Sequence, residues 1–103
     1  MSAPLDPAAL ASALARLPGW RCDGAALVRT WRFASFAEAL RFMAAAAEDI
    51  DRLDHHPDWT NRYDRVTARL TTHDAGHRIT ARDVALAKLL DWHADLSGGH
   101  GEA

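Results

Sequence analysis

At 103 residues, 49% of them apolar and 25% charged, the chain has the composition of one globular domain, residues 1–103, without the bias of a disordered segment or a fibrous repeat. Twelve Lys and Arg against fourteen Asp and Glu give a formal charge of −2, so no cluster of cations is available to neutralise phosphates, and nucleic acid is not an expected partner. One cysteine, Cys22, excludes an internal disulfide, the N-terminus lacks the pattern of a secretory leader, and no apolar run nears the roughly 18 residues that span a bilayer; a cytoplasmic chain with no membrane partner is expected.

Asp6-Pro7 followed by Ala8, Leu10, Ala13 and Leu14 predicts a short first helix, with a capping acceptor and a proline where its missing N–H costs nothing, closed by Leu17-Pro18-Gly19. Asp23-Gly24 then separates Trp20–Cys22 from a stretch in which Leu27, Trp31 and Phe33 alternate with Val28, Thr30 and Arg32, the pattern of a tight hairpin. Ser35-Phe36-Ala37-Glu38 has capping-box spacing and opens a long helix with Phe36, Leu40, Met43, Ala47 and Ile50 on one apolar face. Pro57 biases His56 away from helical geometry, so this helix ends near Asp54. Asp58 to Arg62 is expected to pair, through a turn at Tyr63-Asp64, with a strand in which Val66, Ala68, Leu70 and Thr72 alternate with Arg65, Thr67, Arg69 and Thr71. Thr80 and Asp83 cap a last helix carrying Leu86, Leu89 and Leu90, and Ile79 is placed to staple onto Val84. The small, glycine-rich tail, residues 97–103, is expected to fray. The order helix, two strands, helix, two strands, helix predicts an α+β fold: a four-stranded antiparallel sheet with three helices packed on one face.

The chemistry-bearing residues gather at two places. One is Asp51-Arg52-Leu53-Asp54-His55-His56-Pro57-Asp58-Trp59, where the long helix gives way to the second hairpin; the other is Thr72-His73-Asp74, where that hairpin ends. Imidazole has an unperturbed pKa of roughly 6.5 and both gives and takes protons near neutrality, so three histidines in reach of one another point to proton transfer. Pairing of the two hairpin strands permits His73 to approach His55 and His56. Taken singly, these residues have other readings. Two histidines after a helix also serve its C-terminal dipole, Asp51 either orients His55 or forms an exposed pair, Trp59 and Tyr63 suit the core better than a ligand, and Asp83 is a helix cap. His73 and His77 stand four residues apart, but Gly76 and the Thr80 cap keep them off a helix and structural zinc normally recruits more than one cysteine, so no metal is expected.

The spacing of Asp51, His55-His56-Pro57, Tyr63, His73 and Asp83 resembles that of the pterin-4a-carbinolamine dehydratase family. Leu17-Pro18-Gly19-Trp20, Trp31-Arg32-Phe33, Phe36, Ala39, Phe42-Met43 and the run from Thr80 to Ala87 extend the likeness from about Leu17 to Trp92. The resemblance implies an α+β domain, assembled as a homodimer or homotetramer, that converts 4a-hydroxytetrahydrobiopterin to quinonoid dihydropterin and water and so recycles pterin for an aromatic amino acid hydroxylase. It implies no cofactor. It gives the catalytic roles to His55, His56 and His73, substrate contacts to Asp51, Pro57, Thr72, Asp74 and Ala75, and supporting places to Trp59, Tyr63 and Asp83. One departure is the loop Gly76-His77-Arg78-Ile79-Thr80, a residue longer and bulkier than the family's own. A non-catalytic dimerisation or assembly module on the same fold is the alternative, against which retention of the three histidines argues.

Overall fold

Local chemistry places the helices. In the computed structural model, which describes residues 3–102, α1 (Pro7–Ala15) begins where the Asp6 carboxylate accepts the Ala9 N–H at 2.7 Å. Helix α2 (Phe36–Leu53) begins on the Ser35 hydroxyl, which accepts the Glu38 N–H, while Glu38 itself turns outward to Arg41 instead of closing the box. Helix α3 (Ala81–Leu96) has the complete capping box of Thr80 and Asp83. Met1 and Ser2, and Ala103 at the end of the tail expected to fray, lie outside the described residues.

The strands are β1 (Arg21–Asp23), β2 (Ala26–Arg32), β3 (Asp58–Arg62), β4 (Arg65–Leu70) and β5 (His100–Glu102). They form an antiparallel sheet in the order β1-β2-β4-β3, with β5 also paired to β2. Leu27, Trp31, Val66, Ala68 and Leu70 share the face that carries the core, and Thr30, Thr67, Arg32 and Arg69 share the opposite face, as a period of two requires. Phe42 of α2 lies at the centre, its ring 5.2 Å from Trp31, 4.9 Å from Phe33 and 5.9 Å from Trp59. Burying such a ring contributes about 2–3 kcal/mol. Arg29 falls on the core face despite its charge, because Asp91 of α3 pairs with it at 2.6 Å and also accepts the Trp20 indole N–H at 2.9 Å. Burial pushes the Asp91 carboxyl up from its ordinary value, against the pull of those two donors. Helices α2 and α3 are joined by His93 and Asp49, 2.9 Å apart.

Three expectations change. Alternation was expected to carry the fourth strand to Thr72, but it stops at Leu70, and Thr72 instead bridges to Arg78. The apolar stripe of α2 is rotated: Ala39, Phe42, Ala46 and Ile50 are buried, whereas Phe36 and Leu40 are 48% and 43% exposed and Ala47 is exposed. Small alanines let the helix sit close to the sheet around Phe42, and packing selects that face over the one richest in large side chains. The sheet also has a fifth strand, in the tail expected to fray. Short β1 pairs only with Ala26–Val28, which leaves Thr30–Arg32 unpartnered on the same edge of β2, and residues 100–102 fill the gap. Gly98 turns the chain in the left-handed region (φ 72°), Gly101 passes over the Arg29 guanidinium where a Cβ would lie 2.5 Å away, and Glu102 pairs with Arg65 at 2.8 Å. Among the described residues no helix is long and apolar enough to cross a membrane.

Candidate active site

The end of α2 and the end of β4 meet because Asp58, opening β3, is the register partner of Arg69 near the end of β4. Asp54 terminates α2 in the left-handed region (φ 53°, ψ 41°), which costs a non-glycine residue about 1–2 kcal/mol and turns the chain toward Pro57. Its carbonyl accepts Arg82 Nη2 at 2.5 Å, tying this turn to the start of α3. On the other side, Thr71 and Thr72 follow β4 and His73–Ala75 make one 3₁₀ turn. Two bonds between Thr72 and Arg78, N–H to carbonyl at 2.9 and 3.3 Å, close the loop they flank. Between the two reversals lies an open cavity of about 540 Å³ lined by His55, His56 and His73 together. Sites for small molecules are of this size.

His55 is buried, with Nε2 2.6 Å from Asp83 Oδ1. Asp83 is fully buried, and its other oxygen accepts the Thr72 hydroxyl at 2.8 Å and the Thr80 N–H at 2.9 Å. With Asp83 as the carboxylate, Oδ1 has no hydrogen to give, and the hydrogen in the contact with His55 sits on Nε2. That fixes the tautomer and makes Nδ1 the ring nitrogen able to take a proton. Thr72 commits its hydrogen to Asp83, so Thr80 donates in the 2.8 Å contact between the two hydroxyls, and Thr80 in turn accepts the Arg82 N–H at 3.2 Å. The donors of this chain all lead toward one carboxylate, a satisfied and therefore rigid network. His56 has a different setting. Its Nε2 lies 2.9 Å from Asp51 Oδ1, but both groups are exposed, so the pair orients the ring and contributes at most about 1 kcal/mol. His73 is exposed on its 3₁₀ turn, with the His77 ring edge-on at 4.3 Å.

The cavity thus gathers His55, His56, Pro57, Thr72, His73 and Asp74 from the expected set. Asp51 and Asp83 stand behind His56 and His55; Asp51 serves His56, not the His55 one turn after it. Ala75 is in the same 3₁₀ turn as His73 but does not line the cavity. Trp59 is half-buried against Phe42, in the core. Tyr63 is 69% exposed and sits with positive φ (55°) in the turn between β3 and β4, at the opposite end of that hairpin from the cavity, so the structure does not bring it to the site. Four lining residues were not singled out from sequence: Asp54, Asp58, Thr71 and Arg82. Arg82 had a signal, since a residue two after an N-cap lies beside whatever the capping carboxylate holds.

Fold and cavity together define an α+β domain with a histidine-lined cavity where α2 and β4 end. Residues 3–92 match the family described as Pterin 4 alpha carbinolamine dehydratase, and the chain belongs to that family, which is one of hydro-lyases. A relative from Opitutus terrae, named "putative pterin-4-alpha-carbinolamine dehydratase", is 51% identical over 84 residues, covering 82% of this chain and 87% of its own. One of the same name from Thermomicrobium roseum is 52% identical over 86 residues, 84% and 91% of the two chains. A crystal structure from Brucella melitensis, described as a transcriptional coactivator/pterin dehydratase, superposes with a TM-score of 0.83 at 38% identity, covering 88% of this chain and 98% of that one.

Proposed function

We propose that this protein dehydrates 4a-hydroxytetrahydrobiopterin, and that His55, His56 and His73 carry the protons. The reaction breaks the C4a–O bond. The N5 lone pair forms the C4a=N5 bond, the departing oxygen takes a proton and leaves as water, and N5 gives up its own proton, so one acid and one base balance the step without a cofactor. Each contributes typically about 10² to 10⁴ in rate. The observation that carries this reading is the convergence of three imidazoles from two distant stretches of chain on one cavity, one of them held by a buried carboxylate.

Roles follow from setting. His55, with its hydrogen held at Nε2 by Asp83, is the proton acceptor for N5. His56, at the exposed mouth with Asp51 behind it, donates to the leaving oxygen and is recharged from solvent. His73, on the facing wall, positions the ring and assists protonation. Pro57, Thr72 and Asp74, which line the cavity, supply backbone contacts to the flat heterocycle, and Ala75 supports them from the 3₁₀ turn it shares with His73. We further propose that the chain works as a single cytoplasmic domain in a homodimer or homotetramer, recycling pterin for an aromatic amino acid hydroxylase. Exposed Phe36, Leu40, Trp92 and Leu96 on α2 and α3 support self-association, since single-copy surfaces rarely leave so many large apolar side chains in water. A purely non-catalytic assembly role needs neither the three histidines nor the Asp83 network. The test is the absorbance of quinonoid dihydropterin after mixing the protein with synthetic 4a-hydroxytetrahydrobiopterin. The proposal expects formation well above the spontaneous rate, and a rate equal to the protein-free control rejects it.

A further inference from the structure

His73 and His77 stand four residues apart on a segment that is not an α-helix, so spacing alone gives their rings no reason to meet. The fold supplies one. Gly76 and His77 both lie in the left-handed region (φ 73° and 57°), and the Thr72–Arg78 bridge closes the loop around them. The His77 ring is thereby set edge-on to His73, with centroids 4.3 Å apart. A left-handed backbone is uncommon outside glycine, and residues held in it cluster at functional sites. Both rings are exposed, and both border one hollow of about 290 Å³ beside the larger cavity. His55, His56 and His93 each have a carboxylate at 2.6–2.9 Å; among the described residues none holds His73 or His77.

We propose that His73 and His77 form a two-imidazole site for a borderline divalent cation of the Zn²⁺ class, and that the cation inhibits the protein by capturing the ring of His73. Imidazole nitrogen suits this class of metal, whereas Mg²⁺ and Ca²⁺ take oxygen. Metal–nitrogen bonds of about 2.0–2.1 Å at a tetrahedral angle put two ring centroids roughly 5 Å apart. From their present separation the rings open by less than about 1 Å, a small rotation of two exposed side chains. Among the described residues no group of three metal-ligating side chains stands ready, so water fills the other positions and the cation exchanges with solvent. Charge favours a cation. Asp54, Asp58 and Asp74 line the two hollows that His73 borders, against Arg69 and Arg82, and Arg69 is already paired with Asp23 at 3.2 Å. Binding rests on the loop geometry alone; inhibition rests also on the dehydratase reading above, in which His73 is one of the proton carriers.

Calorimetry of ZnCl₂ against the whole protein, with MgCl₂ as the control, measures the site without requiring turnover. One Zn²⁺ per chain is expected, and no binding of Mg²⁺. His77→Asn removes one ligand while keeping a residue that tolerates the left-handed backbone, and His73→Ala removes the other. Each is expected to weaken Zn²⁺ binding by about tenfold or more, the least that even an outer partner of a metal ligand is worth, with circular dichroism reporting that both variants fold. In the dehydration assay, saturating Zn²⁺ is expected to slow the wild-type protein by about tenfold or more, and a chelator to restore it. His77→Asn is expected to keep its own metal-free rate at the same Zn²⁺ concentration. No Zn²⁺ binding at millimolar concentration, an affinity unchanged in either variant, equal binding of Mg²⁺, or full turnover by the Zn²⁺-saturated protein overturns the proposal. Zn²⁺ binding that both substitutions abolish, in a protein that dehydrates nothing even without metal, upholds the metal site and overturns the dehydratase reading alone.

Discussion

Replacing Asp83 by Asn changes no heavy-atom shape but removes an acceptor. The carboxylate accepts from His55 through one oxygen and from Thr72 and Thr80 through the other. Asparagine has a single accepting oxygen. If it stays with Thr72 and the Thr80 N–H, the capping box survives and the amide NH₂ faces His55, which must then present Nε2 as an acceptor and carry its hydrogen on Nδ1. The nitrogen left to take the substrate's proton becomes a donor. The opposite amide orientation sets two N–H donors against each other at the start of α3 and breaks the box. The first arrangement loses one charge-assisted bond, about 2 kcal/mol, or roughly 10 °C in Tm for a domain of this size. Activity suffers far more: loss of the general base lowers kcat by about 10² to 10⁴. Thermal melts by circular dichroism and absorbance-monitored dehydration measure both. Asp83→Asn with a lowered Tm but kcat within about threefold of wild type would refute the tautomer argument.

His56→Ala removes an exposed ring, so its Tm is expected within about 2 °C of wild type while dehydration falls by about 10² or more, read from the same two assays. The Asp49 carboxyl is held below its ordinary 3.8, first by the His93 hydrogen bond and next, against the effect of burial, by Arg52. A lowered folded value stabilises the protein above the unfolded value and is lost as the pH falls through the folded one. Urea midpoints between about pH 2 and 5 should therefore drop less steeply in Asp49→Asn than in wild type, and parallel curves would refute this linkage. Gly99→Ala places a Cβ 2.6 Å from the Phe33 ring and 3.3 Å from the Ala94 carbonyl, so β5 cannot seat as it does; a loss of about 1–3 kcal/mol in urea unfolding is expected. Sedimentation velocity decides the assembly, with a species of two or four copies expected and a monomer at micromolar concentration contradicting it.

Features decided within a few residues of chain were legible in the sequence. The caps at Asp6, Ser35 and Thr80–Asp83, and the β3–β4 hairpin, depend on side chains beside the backbone groups they satisfy. What long-range contact decides was not. The tail reads as frayed because nothing in Ser97–Glu102 reveals that β1 is too short to cover its edge of β2. The buried face of α2 depends on the shape of the sheet beneath it, which put Phe42 inside and Phe36 outside. Tyr63 occupies a turn position whose positive φ directs it away from the core, against its composition. The three histidines were found by spacing, but the direction of the Asp51 contact and the depth of Asp83 needed the fold, because a helix cap and a histidine's partner look alike in a string of letters.

The central claim is that His55, His56 and His73 surround one bound pterin. It is tested most directly by proton–carbon correlation spectra of the histidine rings during titration with 7,8-dihydrobiopterin. The resonances of all three should move together along one saturable curve, while His93, buried between α2 and α3, stays in place. Saturation that leaves the rings of His55, His56 and His73 unmoved would contradict the account.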